Sequence, residues 1–181
     1  MRKIVLTFGL IGGAVLSVMM LVTLPFQDQI GFDRGAIIGY TSMVLAFLMV
    51  YFGVRSYRDN VADGRVTFGR AFTVGLLITL VTSSCYVATW EVIYFKLAPD
   101  FTDKYTAYAI DKARKAGATE AQIAARTKEM DDFKKMYQNP LMNAAITLLE
   151  PLPVGLLFTL VTAGVLSRKR REDPIPSEAR A

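Results

Sequence analysis

Apolar residues fill long blocks along the chain and do not alternate with polar ones. Ile4 to Leu24 is 21 residues without a charge, Gly35 to Val54 and Ala71 to Trp90 are 20 each, and Leu141 to Ser167 is 27 interrupted only by Glu150. At about 1.5 Å per residue each block is long enough, as a helix, to cross a hydrocarbon core of about 30 Å. Apolar residues on every side exclude barrel strands, whose faces alternate, and backbone in lipid must satisfy its own hydrogen bonds. The pattern therefore predicts an all-α integral membrane four-helix bundle. Its spans fall at about 4–24, 35–54, 70–95 and 141–167, with a cytoplasmic tail at 168–181. The first block follows Arg2 and Lys3 as a signal peptide would, but it is too long and has no small-residue cleavage site before Pro25, so an anchor is expected.

The polar connection at about 98–139 predicts an extracytoplasmic helical hairpin between helices 3 and 4. FTDKYTAYAIDKARKA is helix-compatible and stops at Gly117, and Thr119 with Gln122 has the spacing of a capping box that starts a second helix. Ile123, Met130, Phe133 and Tyr137 recur at helical spacing, while Asp131 and Lys135 form an i,i+4 pair on another side. That stripe packs on the partner helix or the membrane surface, or else docks another protein.

Positive charge sets the orientation. Arg2 and Lys3, then Arg55, Arg58, Arg65 and Arg70, then Arg168 to Arg171 fall on alternate sides of the spans, which places both termini in the cytoplasm. The 98–139 connection is itself rich in Lys and Arg, mostly far from the span ends, where the bias is weak. The net charge of +5 is then topological, and no nucleic-acid partner is expected.

Small residues recur every fourth position at Gly9 and Gly13, at Gly31, Gly35 and Gly39, along Ala71, Gly75, Thr79 and Ser83, and at Gly155, Thr159 and Ala163. In lipid such surfaces let helix backbones approach, within one bundle or between two copies, or they could line a substrate path. Membrane lipid is an expected partner, with a homodimer or a partner membrane protein as further options.

Histidine is absent and Cys85 is the only cysteine. This removes histidine or thiolate metal sites, disulfides and Ser-His or Cys-His nucleophiles, so no cofactor, no metal and no enzyme activity is expected. Carboxylates are the remaining candidates. Counting up from Arg70 puts Glu91 about 31 Å above the cytoplasmic plane, and counting from Arg168 puts Glu150 about 27 Å above it, so both reach the outer boundary. Pro151 and Pro153 supply no N–H, which kinks the fourth helix and frees the carbonyls of Thr147 and Leu149. Glu91, Glu150, Thr147 and Tyr94 thus form a candidate ligand or ion site. The plainer reading is an interfacial carboxylate flanked by Trp90 and Tyr94 and paired with Lys96. GRVTFGR at 64–70 offers Arg65 and Arg70 as a weak candidate for a lipid headgroup or anion, or simply a turn at Asp63–Gly64 and an N-cap at Thr67.

FGVRSYRD at 52–59, GRVTFGRAFTVGLLITL at 64–80, APDF at 98–101 and NPLMNAAITLLEPLPVGLLFTLVTAGVLSRK at 139–169 resemble a bacterial membrane-protein family catalogued as domain of unknown function 4199. The resemblance implies a compact four-helix protein of the bacterial cytoplasmic membrane and carries no catalytic residues. The leading functional expectation is a non-enzymatic scaffold or accessory subunit acting through helix packing and its outer hairpin. The alternatives are a small proton- or cation-coupled transporter module using Glu91 and Glu150, and a membrane-bound lipid-modifying enzyme.

Overall fold

The structure is a computed structural model describing residues 1–168, and the basic tail beyond Arg168 lies outside the described residues. The chain is all-α, with no strand among the described residues. Helix α1 is Arg2–Thr23, α2 Gln27–Asn60, α3 Phe68–Val92, α4 Phe101–Lys115, α5 Glu120–Tyr137, α6 Pro140–Leu148 and α7 Pro151–Leu166. A 3-10 turn over Leu24–Phe26 joins α1 to α2, and a π-helical turn over Ile93–Leu97 prolongs α3. Three continuous helical stretches, Arg2–Asn60, Phe68–Leu97 and Pro140–Leu166, are long and apolar enough to cross a membrane.

Close contacts fix how the helices run. Gly12 lies against the Ala46 carbonyl and Gly53 against Phe8, so α2 returns antiparallel to α1. Gly9 faces Val81, Gly13 faces Cys85, and Ser17 Oγ lies 2.7 Å from Thr89 Oγ1, so α3 runs parallel to α1 at a constant offset. Gly75 meets Thr159 and Gly155 meets Thr79, so α7 is antiparallel to α3. The stretch Arg2–Asn60 is therefore two helices side by side. α2 is longer than its uncharged core predicts, because the polar residues 27–34 and 55–60 extend the helix at both ends.

Small and hydroxyl residues share the interior with large apolar ones such as Leu16, Phe47, Val50 and Ile78, and further large apolar residues lie outside. Thr79, Thr82, Ser83, Thr159 and Thr162 are buried, while Leu10, Val18, Leu45, Leu157 and Val161 are exposed. Thr79 Oγ1 donates to the Gly155 carbonyl at 3.3 Å and lies 3.1 Å from Thr159 Oγ1, and Thr82 Oγ1 donates to the Gly9 carbonyl at 3.1 Å. These contacts are possible because the glycines carry no side chain. A methyl at Gly9 would sit 2.7 Å from Val81 Cβ, one at Gly13 2.5 Å from Cys85 Cβ, and one at Gly155 would overlap Thr79. Three of the four small-residue stripes are thus consumed in packing within the chain.

The fourth stripe differs. Gly31 has φ 73° and ψ 165°, a conformation essentially confined to glycine, and it breaks α2 four residues after its start. Gly31 and Gly39 have open space where a Cβ would stand.

The expected kink falls between α6 and α7, but its hydrogen bonding differs from expectation. The Thr147 carbonyl, which Pro151 cannot pair with, accepts instead from the Glu150 N–H at 3.2 Å. The chain tightens into a 3-10-like turn there, and of the two backbone acceptors expected, the Thr147 carbonyl is already occupied.

In the hairpin, Gly117 takes φ 83° and the Ala118 N–H reaches the Ala113 carbonyl at 3.1 Å. Thr119 Oγ1 accepts from the Gln122 N–H at 3.3 Å while Gln122 Oε1 accepts from the Thr119 N–H at 2.8 Å, completing the capping box. Lys135 pairs with Asp132 at 3.4 Å, three residues back, and not with Asp131. At the other end of the bundle, Asp63 and Gly64 make a positive-φ turn and Thr67 caps α3 by accepting from the Arg70 N–H at 3.4 Å.

Candidate functional site

The hairpin α4–α5 folds onto the end of the bundle where α1 meets α2. Lys104 Nζ donates to Asp28 at 3.1 Å, Lys112 Nζ to Asp33 at 2.7 Å, and the Tyr108 hydroxyl to the same Asp33 oxygen at 2.6 Å. Hydrogen bonds to Asp33 and then to Tyr108 hold the Lys112 ammonium above the usual lysine range. Lys134 pairs with Asp103 across the hairpin. Phe32, next to the break at Gly31, sets its ring against Phe101, Tyr105 and Tyr108 at centroid distances of 5.7, 5.3 and 5.0 Å. The Ile123, Met130, Phe133, Tyr137 stripe turns inward, with Ile123, Met130 and Tyr137 buried, so this chain covers the face that was a candidate for docking another protein.

Beneath the hairpin lies a cavity of about 530 Å³. All four long helical stretches contribute to it, α1 through Met20, α2 through Gly39 and Tyr40, α3 through Tyr86 and Trp90, and the fourth through Thr147 and Glu150. Phe101 and Tyr105 of α4 and Tyr137 of α5 line its hairpin side, and the cavity is partly open. Gly35 and Gly39, the stripe unused in helix packing, lie on its wall.

Two polar systems face this space. The Tyr86 hydroxyl donates to Glu150 Oε2 at 2.6 Å, the length of an O–H···O⁻ bond. The second is a relay in which each group has one proton to give. Trp90 Nε1 donates to the Tyr137 hydroxyl at 2.8 Å, that hydroxyl donates to Thr147 Oγ1 at 2.9 Å, and Thr147 donates to Asn143 Oδ1 at 3.2 Å. Asn143 Nδ2 closes the ring by donating to the Tyr137 backbone carbonyl at 3.2 Å. Burial pushes the Tyr137 hydroxyl above its usual range, so it remains a donor at neutral pH. The relay ties α3, α5 and α6 together and holds the aromatic wall in place.

The expected residues are distributed unevenly around this site. Glu150 and Thr147 line the cavity. Tyr94 stands behind the wall, its hydroxyl 2.9 Å from Thr102 Oγ1 and its ring edge-on to Tyr137 at 5.1 Å. Glu91 is not among the lining residues. The α3–α7 register sets Glu150 opposite Tyr86, five residues or about 7.5 Å along the axis from Glu91, and Glu91 is turned about 100° round the helix from Trp90. Its Oε1 is buried without a hydrogen-bond partner among the described residues, so the pairing expected with Lys96 is not made there. Arg65 and Arg70 flank the Thr67 cap at the other end of the bundle, and the cavity brings neither in. No three metal-ligating side chains gather among the described residues.

Sequence reasoning passed over Tyr86, Asn143 and the role of Tyr137. The signal was present in the spacing. Asn143, Thr147 and Glu150 are i, i+4 and i+7, and Tyr86, Trp90 and Tyr94 are i, i+4 and i+8, so each set lies on one helical face.

Fold and site together define an all-α chain with membrane-compatible helices around a ligand-sized cavity. The chain belongs to the family described as Protein of unknown function (DUF4199), which matches residues 7–168. No curated protein and no solved structure matches the chain.

Proposed function

We propose that this is a non-enzymatic, four-span protein of a bacterial cytoplasmic membrane that binds a small amphipathic molecule at its outer end, as the binding element of a small transporter or accessory module. Both termini face the cytoplasm and the 98–139 hairpin lies on the opposite side. The alternating directions of α1, α2, α3 and the α6–α7 stretch support four crossings, and the apolar outer belt supports lipid around them. The observation that carries the binding reading is the cavity of about 530 Å³, within the range of small-molecule sites, with a single carboxylate on an otherwise mostly apolar wall. A scaffold or accessory subunit acting through helix packing and the outer hairpin is the second reading, and the burial of Ile123, Met130 and Tyr137 leaves it to other surfaces of the hairpin.

Gly39 offers a direct test, since it lines the cavity and has open space beyond its Cα. Gly39→Trp should fill the site without disturbing helix packing. Native mass spectrometry of wild-type protein taken from its membrane is expected to show a bound species that Gly39→Trp has lost, at unchanged thermal stability. An identical set of bound species in both proteins would contradict the reading.

A further inference from the structure

The lining of the cavity says more than its size. Its charged lining is one carboxylate, Glu150, and neither lysine nor arginine reaches the wall among the described residues. Tyr86 touches Glu150, and the same wall also carries the rings of Tyr40, Trp90, Phe101 and Tyr105, so that three different helices contribute aromatic rings to the cavity. Ring faces carry negative quadrupole density and attract a cation, most strongly when water is excluded. An anionic ligand would meet a like charge at Glu150 with no compensating donor cation, and a neutral apolar one would make no use of that charge. Tyr86, through its 2.6 Å hydrogen bond, holds the carboxylate in place and leaves its charge uncancelled.

We propose that the cavity receives an organic ammonium group, a cation with an apolar body, seated among the aromatic rings against Glu150. The inference rests on the reading of this cavity as a ligand site and assigns the class of ligand it takes. A free amine or quaternary ammonium compound and the choline headgroup of a lipid share this chemistry.

Trp90 is the only tryptophan in the chain and lies on the cavity wall, so its emission reports occupancy without a label. Full-length protein in phosphatidylglycerol nanodiscs would be titrated with benzyltrimethylammonium and with benzylsulfonate, which match in size and oppose in charge. The cation is expected to bind at least about tenfold more tightly than the anion, and Glu150→Gln to bring the two to near parity. Repeating the titration in phosphatidylcholine nanodiscs separates the sources. Unchanged cation affinity supports a free ammonium ligand, and affinity lost to competition supports the lipid headgroup. Equal binding of the two probes by wild-type protein, which needs no variant to fold, or a cation preference that survives Glu150→Gln, overturns the ammonium assignment and leaves a ligand site of another class. If neither probe alters Trp90 emission, the ammonium assignment falls and the binding reading falls with it.

Discussion

At the scale of single residues, glycines of the same chain have opposite roles, decided by what stands beyond the Cα. Gly155 faces Thr79 and the Phe47 ring, with no room for a methyl, whereas Gly39 faces open space. Gly155→Ala is therefore expected to destabilise the protein by about 1–3 kcal/mol, the usual cost of overpacking, and Gly39→Ala to change it little. Thermal unfolding of both variants in detergent checks the difference, and equal losses would show that the two sites are packed alike. Tyr86→Phe keeps the ring and removes the donor to the Glu150 carboxylate, so a loss of about 1.5–3 kcal/mol, the usual worth of a hydrogen bond to a charged group, is expected by the same measurement. The small-residue spacing was legible in the sequence at both glycines, but the spacing is identical in the two stripes. The stripe that lines the cavity is the one containing the break at Gly31, and a positive φ leaves no periodic trace.

At the scale of elements, the hairpin is held by two kinds of contact with unequal weight. The ion pairs Lys104–Asp28 and Lys112–Asp33 are exposed, and pairs in water contribute little. The Phe32 ring, partly buried, meets three rings of α4, and such aromatic contacts add about 0.5–1.5 kcal/mol each beyond burial. Phe32→Ala is expected to speed hydrogen exchange throughout α4, and Asp33→Asn to leave it nearly unchanged. The opposite ranking would make the hairpin an electrostatic clamp. The two hairpin helices and the turn at Gly117 were readable because capping residues act locally. The stripe on α5 was also readable, but periodicity reports that a face is buried and not what buries it. At its Tyr137 end the covering surface includes Trp90 of α3 and Tyr94 of the π-helical turn, more than 40 residues away in the chain.

At the scale of the whole molecule, four helical stretches of alternating direction enclose hydroxyls and glycines together with apolar side chains such as Phe47, Val50 and Ile78, and present a further belt of leucine and valine outside. The apolar blocks made the helices legible from composition alone. The relative heights of Glu91 and Glu150 were not, because counting from two separate charges ignores the register that Gly75, Thr79, Gly155 and Thr159 impose on α3 against α7. That register sets Glu150 at the level of Tyr86 and makes one carboxylate, not two, part of the cavity wall. Since the proposed site lies under the hairpin, the account depends on which side of the membrane the hairpin occupies. The most direct measurement is labelling of intact cells by an impermeant maleimide, with Cys85→Ala as background and a single new cysteine at Ala118→Cys in the hairpin or Asp63→Cys in the opposite turn. Labelling of the first in intact cells, and of the second only after lysis, is the expected result. Labelling of Asp63→Cys from outside, or no labelling of Ala118→Cys until the cells are opened, would contradict it.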